Sequence, residues 1–299
     1  MKFSKIALYA FIALLLTRAI YYSISDGFAR NRIEFPPIEH TPSNAPDPEQ
    51  LKLLSSIFSE PFYYLAKGSQ SYAFQNKDKS LILKLFKCHH WNDGSWAEDL
   101  PVPNLAQKWL NSLVVRRQKR VANTRNSFQI VHESLMAECG VLYMQETPST
   151  SYDLQITIID GAKREHILHA SQISFTVQQK GKLIFPTLAE WLANGQIEEA
   201  KQGISSLVAL IYRRCQKGIY DLDPDIHKNA GFIGTKAIFI DIGGFQTRES
   251  LINRDETLWE IKRCLKQLGT WIEQHAPNLN DFYIQALNNP EECAWEGNT

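Results

Sequence analysis

The chain has 299 residues, of which 44% are hydrophobic, and its 32 basic and 32 acidic residues cancel to a formal net charge of zero. That length and apolar content suit one large or two modest domains with a real core. Balanced charge argues against a general nucleic-acid binder, which carries a basic excess. The five cysteines (Cys88, Cys139, Cys215, Cys264 and Cys293) form no C-x-x-C pair, so neither a disulfide framework nor a zinc site is expected.

Lys2 and Lys5 precede an apolar run from Ile6 to Thr17, which Arg18 interrupts. This is the form of a signal-peptide core. With Arg18 reaching to the headgroups it is also the form of a membrane anchor over about 6–24. A buried amphipathic helix is a third reading. Basic residues lie on both sides of the run, so no orientation follows. Residues 1–34 are therefore expected to be a signal peptide or anchor, membrane-bound or exported. Pro36, Pro37, Pro42, Pro46 and Pro48 make 35–60 a linker, ending in a short helix marked by Leu51, Leu53, Leu54 and Ile57.

Tyr63-Tyr64-Leu65 predicts a strand, Gly68 to Ser71 a small-residue tip, and Ser80 to Lys87 a second strand. Small residues at a hairpin tip let backbone N–H groups approach phosphate oxygens. In the second strand Ile82, Lys84 and Phe86 share one face. A lysine among apolar neighbours is costly unless it meets an anion. An exposed edge-strand lysine is the plain alternative. Cys88-His89-His90 reads as a polar strand end, because adjacent residues rarely point at one ion.

A long helical stretch is expected from about Leu105 to Cys139, with a break near Asn123-Thr124. Its basic residues Arg116, Arg117, Lys119, Arg120 and Arg125 read as a solvated face. Glu133 and Glu138 end it. Leu154–Ile159 and Ile173–Val177 alternate like antiparallel strands with Asp160-Gly161 as a turn between them. Helical spacing follows at Leu188, Trp191 and Leu192, and Ile204, Leu207, Val208, Leu210 and Ile211 describe a buried helix.

The segment Asp221-Leu-Asp-Pro-Asp-Ile-His-Lys-Asn229 follows that helix, and an apolar strand then ends in Asp241-Ile-Gly-Gly244. A carboxylate at a strand end, with an asparagine one short hairpin upstream, makes an oxygen-rich site for Mg²⁺. A second carboxylate in the loop can accept a hydroxyl proton. Aspartate and asparagine are also ordinary turn formers; the ordered combination is what points to chemistry.

Together these motifs resemble the protein-kinase-like superfamily over roughly Phe62 to Phe245. Gly68-Ser-Gln-Ser-Tyr-Ala-Phe looks like its glycine-rich loop, and Leu81-Ile-Leu-Lys84 is similar to the V-A-I-K strand. Asp221-Leu-Asp-Pro resembles the start of the catalytic loop, and Asp241-Ile-Gly243 resembles D-F-G. The pattern K-G-S-Q-S-Y-A-F, L-K-L-F-K and D-x-D…N-x-G-F…I-D-I-G also resembles uncharacterised kinase-like proteins of chlamydial bacteria. The departures are a single glycine in the loop, no H-R before either aspartate, and only 58 residues after Asp241.

The resemblance implies an α+β, bilobal fold: a β-rich lobe over 61–180 and a compact helical lobe over 181–299, behind a hydrophobic N-terminal helix. It implies ATP and Mg²⁺ as cofactors. Gly68, Ser69, Ser71 and Lys84 would bind nucleotide, with Glu133 or Glu138 positioning the lysine. Asn229 and Asp241 would bind the metal, and Asp223 or Asp221 would be the base. Asp223 fits the spacing to Asn229 and Asp221 fits the wording of the motif. The acceptor could be protein, lipid or small molecule. A pseudokinase, a binding or scaffolding module, is the alternative function, and a purely structural membrane-associated protein a third.

Overall fold

The computed structural model describes residues 2–35, 46–88, 103–149 and 151–296. Pro36, Pro37, Pro42, His89 and His90 lie outside the described residues. The chain begins with α1 (Lys2–Ile24) and α2 (Pro48–Ile57), then strands β1 (Phe62–Lys67), β2 (Ser71–Gln75) and β3 (Leu81–Phe86). Helix α3 (Asn104–Ile130) leads to β4 (Val141–Gln145), β5 (Gln155–Ile159), β6 (Glu165–His169), β7 (Phe175–Gln179) and β8 (Lys182–Leu183). Next come α4 (Ile184–Ala193), α5 (Ile197–Gln216), β9 (Ile219–Asp221), α6 (Ile226–Asn229), β10 (Ala230–Ile233), β11 (Lys236–Phe239) and β12 (Phe245–Thr247). Helices α7 (Arg254–His275), α8 (Asn280–Asn288) and α9 (Pro290–Glu296) complete the order. The described residues fall into two compact units, one within Met1–Asn92 and Tyr143–Gln178, the other within Asp93–Leu142 and Gln179–Thr299.

The first unit is built on a seven-stranded sheet in the order β4-β7-β3-β2-β1-β5-β6. Strand alternation decides its faces. Tyr72 lies opposite Leu85 and Phe74 opposite Leu83, all four buried on one face, whereas Ala73 lies opposite Lys84 on the other. The chain that leaves α1 closes over the first of these faces. Phe28 meets Tyr72 and Phe74 edge-on at 5.2 and 5.6 Å, and the Tyr72 hydroxyl donates to the Gly27 carbonyl at 2.9 Å. Ile33 is fully buried in the same unit. The turn at Asp160-Gly161 forms as expected, but it joins β5 to β6, not to β7. Asp160 caps that turn by accepting the N–H groups of Ala162 and Arg164, each at 2.9 Å.

The membrane expectation for residues 1–34 is corrected. Among the described residues no helix is long and apolar enough to cross a membrane. The uninterrupted apolar run between Lys5 and Arg18 spans 12 residues, a rise of about 18 Å against a hydrocarbon core of about 30 Å. The helix does form, but its far end belongs to the sheet unit: the Tyr21 hydroxyl donates to Asp160 Oδ2 at 2.9 Å, and Ser25 is buried. The transmembrane assignment and the membrane-anchored localisation therefore fall.

The second unit is mainly helical. Helix α3 runs through Asn123 and Thr124 without the expected break, and the Thr124 hydroxyl donates back to the Arg120 carbonyl at 3.0 Å. A π-helical turn follows over Val131–Leu135. Arg116, Lys119 and Arg120 are exposed. Helix α5 buries Ile204, Leu207, Val208, Leu210 and Ile211 and packs against α7, α8, α9 and β11. Two small sheets accompany the helices, β11-β10-β8 and β12-β9.

Candidate functional site

In the sheet unit the turn between β1 and β2 is closed by the Gly68 N–H, which donates to the Ser71 carbonyl at 2.9 Å. Gly68 and Ser69 are exposed, Ser71 and Lys84 half-buried. The lysine that reaches this turn is Lys87. Only 4% of it is exposed, and its Nζ donates to the carbonyls of Gly68 at 2.6 Å and Ser69 at 3.0 Å while lying 4.7 Å from the Tyr72 ring centre. Burial, with help from the charges of Lys67 and Arg32, pushes its ammonium down to about 8.

In the helical unit the hairpin β10–β11 pairs Ala230 with Phe239 and Ile233 with Lys236. Asn229 is the residue before the first strand and Asp241 follows the second by two. The hairpin therefore sets them side by side: the Asn229 carbonyl accepts the N–H of Ile240 at 2.8 Å and of Asp241 at 3.4 Å. The Asn229 side chain donates through Nδ2 to the Asp223 carbonyl at 2.8 Å, which leaves its amide oxygen as acceptor. Asp241 is exposed, and one of its carboxylate oxygens accepts the Gly243 N–H at 3.1 Å. Lys228 lies 3.1 Å from Asp225 Oδ2, and its ammonium is held above its ordinary range by Asp225 first and also by Asp223 and Asp241. Three carboxylates thus act on one cation in this loop.

The two candidate bases sit in different surroundings. Asp223 is exposed. Asp221 is buried, 3.0 Å from Arg214 Nη1, and accepts the Asp223 N–H at 2.9 Å. Burial pushes its carboxyl up, against the pull of Arg214. Arg214 is fully buried and donates through Nη2 to Glu260 at 2.5 Å. Arg263 completes the group, donating to Glu260 at 2.6 and 2.8 Å and to the Asp221 carbonyl at 2.6 Å. Asp221 is thus held as an anchor for the loop. The glycine pair fits beside it: a Cβ on Gly244 would come within 3.0 Å of Asp221 Oδ1, and the Gly244 carbonyl accepts the Leu222 N–H at 2.9 Å.

Of the two glutamates, Glu133 is exposed and accepts from Gln129 at 2.9 Å, and Glu138 accepts from Lys217 at 2.5 Å within the helical unit. Gly68, Ser69, Ser71 and Lys84 belong to the sheet unit; Asp221, Asp223, Asn229 and Asp241 are brought together in the other. Sequence reasoning missed Lys87, Lys228 and Arg214. Arg214 had a signal, being a charge three positions after Ile211 on the apolar stripe of α5. Among the described residues no three His, Cys, Asp or Glu side chains group as around a metal ion.

No protein-family profile matches the chain, and no curated protein matches it. Among solved structures, a crystal structure of WbdD is similar at 14% identity and a TM-score of 0.35, over 78% of this chain and 45% of that one. A co-crystal structure of WbdD with a kinase inhibitor is similar at 14% identity and a TM-score of 0.32, with the same coverage. The chain spans less than half the length of the structures it matches. The chain itself has a mixed α+β make-up, a seven-stranded sheet unit and a mainly helical unit. No chlamydial relative came from these comparisons.

Proposed function

We propose that the chain is an ATP-dependent phosphotransferase of the kinase-like class. The observation that carries this is the β10–β11 hairpin, which sets Asn229 beside Asp241 and ties Asp223 to the same asparagine. The donor set suits Mg²⁺, because both residues offer oxygen and the hairpin sets them side by side. Asn229 and Asp241 would hold the metal, which when bound would neutralise phosphate charge. Lys84 would contact the α- and β-phosphates, and the Gly68, Ser69 and Ser71 loop would cover them. Asp223, exposed and backbone-anchored, would orient the acceptor hydroxyl and take its proton. Asp221 would hold that loop through Arg214. The acceptor is a protein, lipid or small molecule; no nucleic acid is expected.

A second reading, a pseudokinase that binds nucleotide without transfer, is favoured by the single glycine of the loop and the irregular spacing of the catalytic loop. One set of measurements separates them. ATP should raise the unfolding temperature, and more so with Mg²⁺. Asp241→Asn should abolish the Mg²⁺ increment. Asp223→Asn should leave nucleotide binding intact and lower phosphoryl transfer by about 10²–10⁴-fold. Binding without transfer to any acceptor, the chain itself included, would favour the pseudokinase; no shift with ATP at all would sink both.

A further inference from the structure

The loop between β1 and β2 lacks the glycines that usually let such a turn present its backbone to phosphate. Its one glycine is not used for conformational freedom. Gly68 does not adopt the left-handed region, and a Cβ there would meet the Ser71 carbonyl at 3.5 Å, an ordinary contact. Something else must orient the peptides of this turn.

We propose that Lys87 is a positioning residue that turns the Gly68–Gln70 backbone into an anion cradle, doing from outside the loop what the missing glycines would do within it. This rests on the nucleotide-binding reading above. The Lys87 ammonium draws two successive carbonyls, Gly68 and Ser69, to itself. In a trans peptide the C=O of one residue and the N–H of the next point in opposite directions, and no cis peptide occurs among the described residues. The N–H groups of Ser69 and Gln70 are therefore turned away from Lys87 and from its face of the sheet. Successive N–H groups on one side of a turn form a concavity that binds anions. The strand parity agrees: Lys84 and Lys87 stand an odd number of positions apart, so they leave the sheet by opposite faces.

The lysine is built into its place. Its ammonium is held by two carbonyl dipoles and the Tyr72 ring, and Tyr72 is itself pinned to the Gly27 carbonyl. The charged groups around it are Arg32 and Lys67, which lie 5.6 and 5.8 Å from the Tyr22 ring centre. Among the described residues none of the three cations has a carboxylate partner. The whole corner is electropositive, which further favours an anion at the loop.

The test uses the full chain with Lys87→Met, and Lys87→Gln, which keeps a polar end if the methionine variant fails to fold. Backbone relaxation should report order parameters of about 0.85 for the Ser69 and Gln70 amides in the wild type, falling below about 0.6 in either variant, with the strand amides of β2 and β3 unchanged. Calorimetry should show ADP weakened by about tenfold or more and adenosine unaffected, since only ADP places phosphate on the cradle. Unchanged loop order in the folded variants overturns the proposal, and so does an equal loss of ADP and adenosine. A wild type that binds neither ligand overturns the nucleotide reading, while the relaxation data still decide whether Lys87 holds the loop.

Discussion

Lys84 and Lys87 look alike in the sequence, two lysines in one apolar strand, and they meet opposite environments. The period of two places Lys84 with Ile82 and Phe86, as the register with Ala73 bears out. Nothing local marks Lys87 as buried, because its partners, two carbonyls of the preceding turn, are not side chains that a pattern could reveal. Its burial has a consequence for pH. The folded-state ammonium is pushed from 10.5 down to about 8, by burial first and then by Lys67 and Arg32. Below pH 8 both folded and unfolded chains carry the proton, and the penalty of burying the charge is present in full. Between about 8 and 10.5 the unfolded chain binds more protons, so stability rises with pH in that window. Urea unfolding at pH 7 and pH 9.5 should therefore move the difference between wild type and Lys87→Met in favour of the wild type. A difference that is flat in pH would show that the ammonium is not disfavoured by folding.

At the level of elements, the catalytic-loop candidate is a short segment braced from beneath by α5 and α7. Arg214 on α5 forks between Asp221 and Glu260, with Arg263 of α7 closing the group. Breaking a buried pair leaves an uncompensated charge, which costs about 3–5 kcal/mol. Arg214→Met should destabilise by that order in urea unfolding. Arg214→Lys should restore little of it, because one ammonium cannot span two carboxylates as the planar fork does. Recovery of wild-type stability by the lysine would show that charge alone matters there. The hairpin beside it was legible in sequence as an asparagine, an apolar hairpin and an aspartate. The brace was not: Asp221 looked like one of two equal candidates until Arg214 was found to hold it.

For the molecule as a whole, the first 35 residues are the largest departure. Their apolar run is cut by Arg18 before it reaches bilayer length, and the turn after α1 delivers Phe28 and Ile33 to the core of the sheet unit. Large-to-small changes at a buried phenylalanine cost about 3–5 kcal/mol. Phe28→Ala should lose that much, and a chain lacking residues 2–34 should unfold at lower denaturant still. A truncated chain with an unaltered midpoint would show that this segment is not core.

Local spacing by itself determined the mixed α+β composition, the strand of Lys84, the turn at Asp160-Gly161, the buried stripe of α5 and the hairpin between Asn229 and Asp241. Each depends on residues within a few positions of one another, where backbone period and turn chemistry act directly. Only the tertiary structure decided that β5 turns into β6, that Phe28 covers Tyr72 and Phe74, that Arg214 claims Asp221, and that Lys87 draws in the carbonyls of the loop. Those are choices of partner between segments distant in the chain. Hydrophobic burial is non-directional and a buried charge needs an opposite group from wherever the fold supplies it, so residue type announces the need without naming the partner.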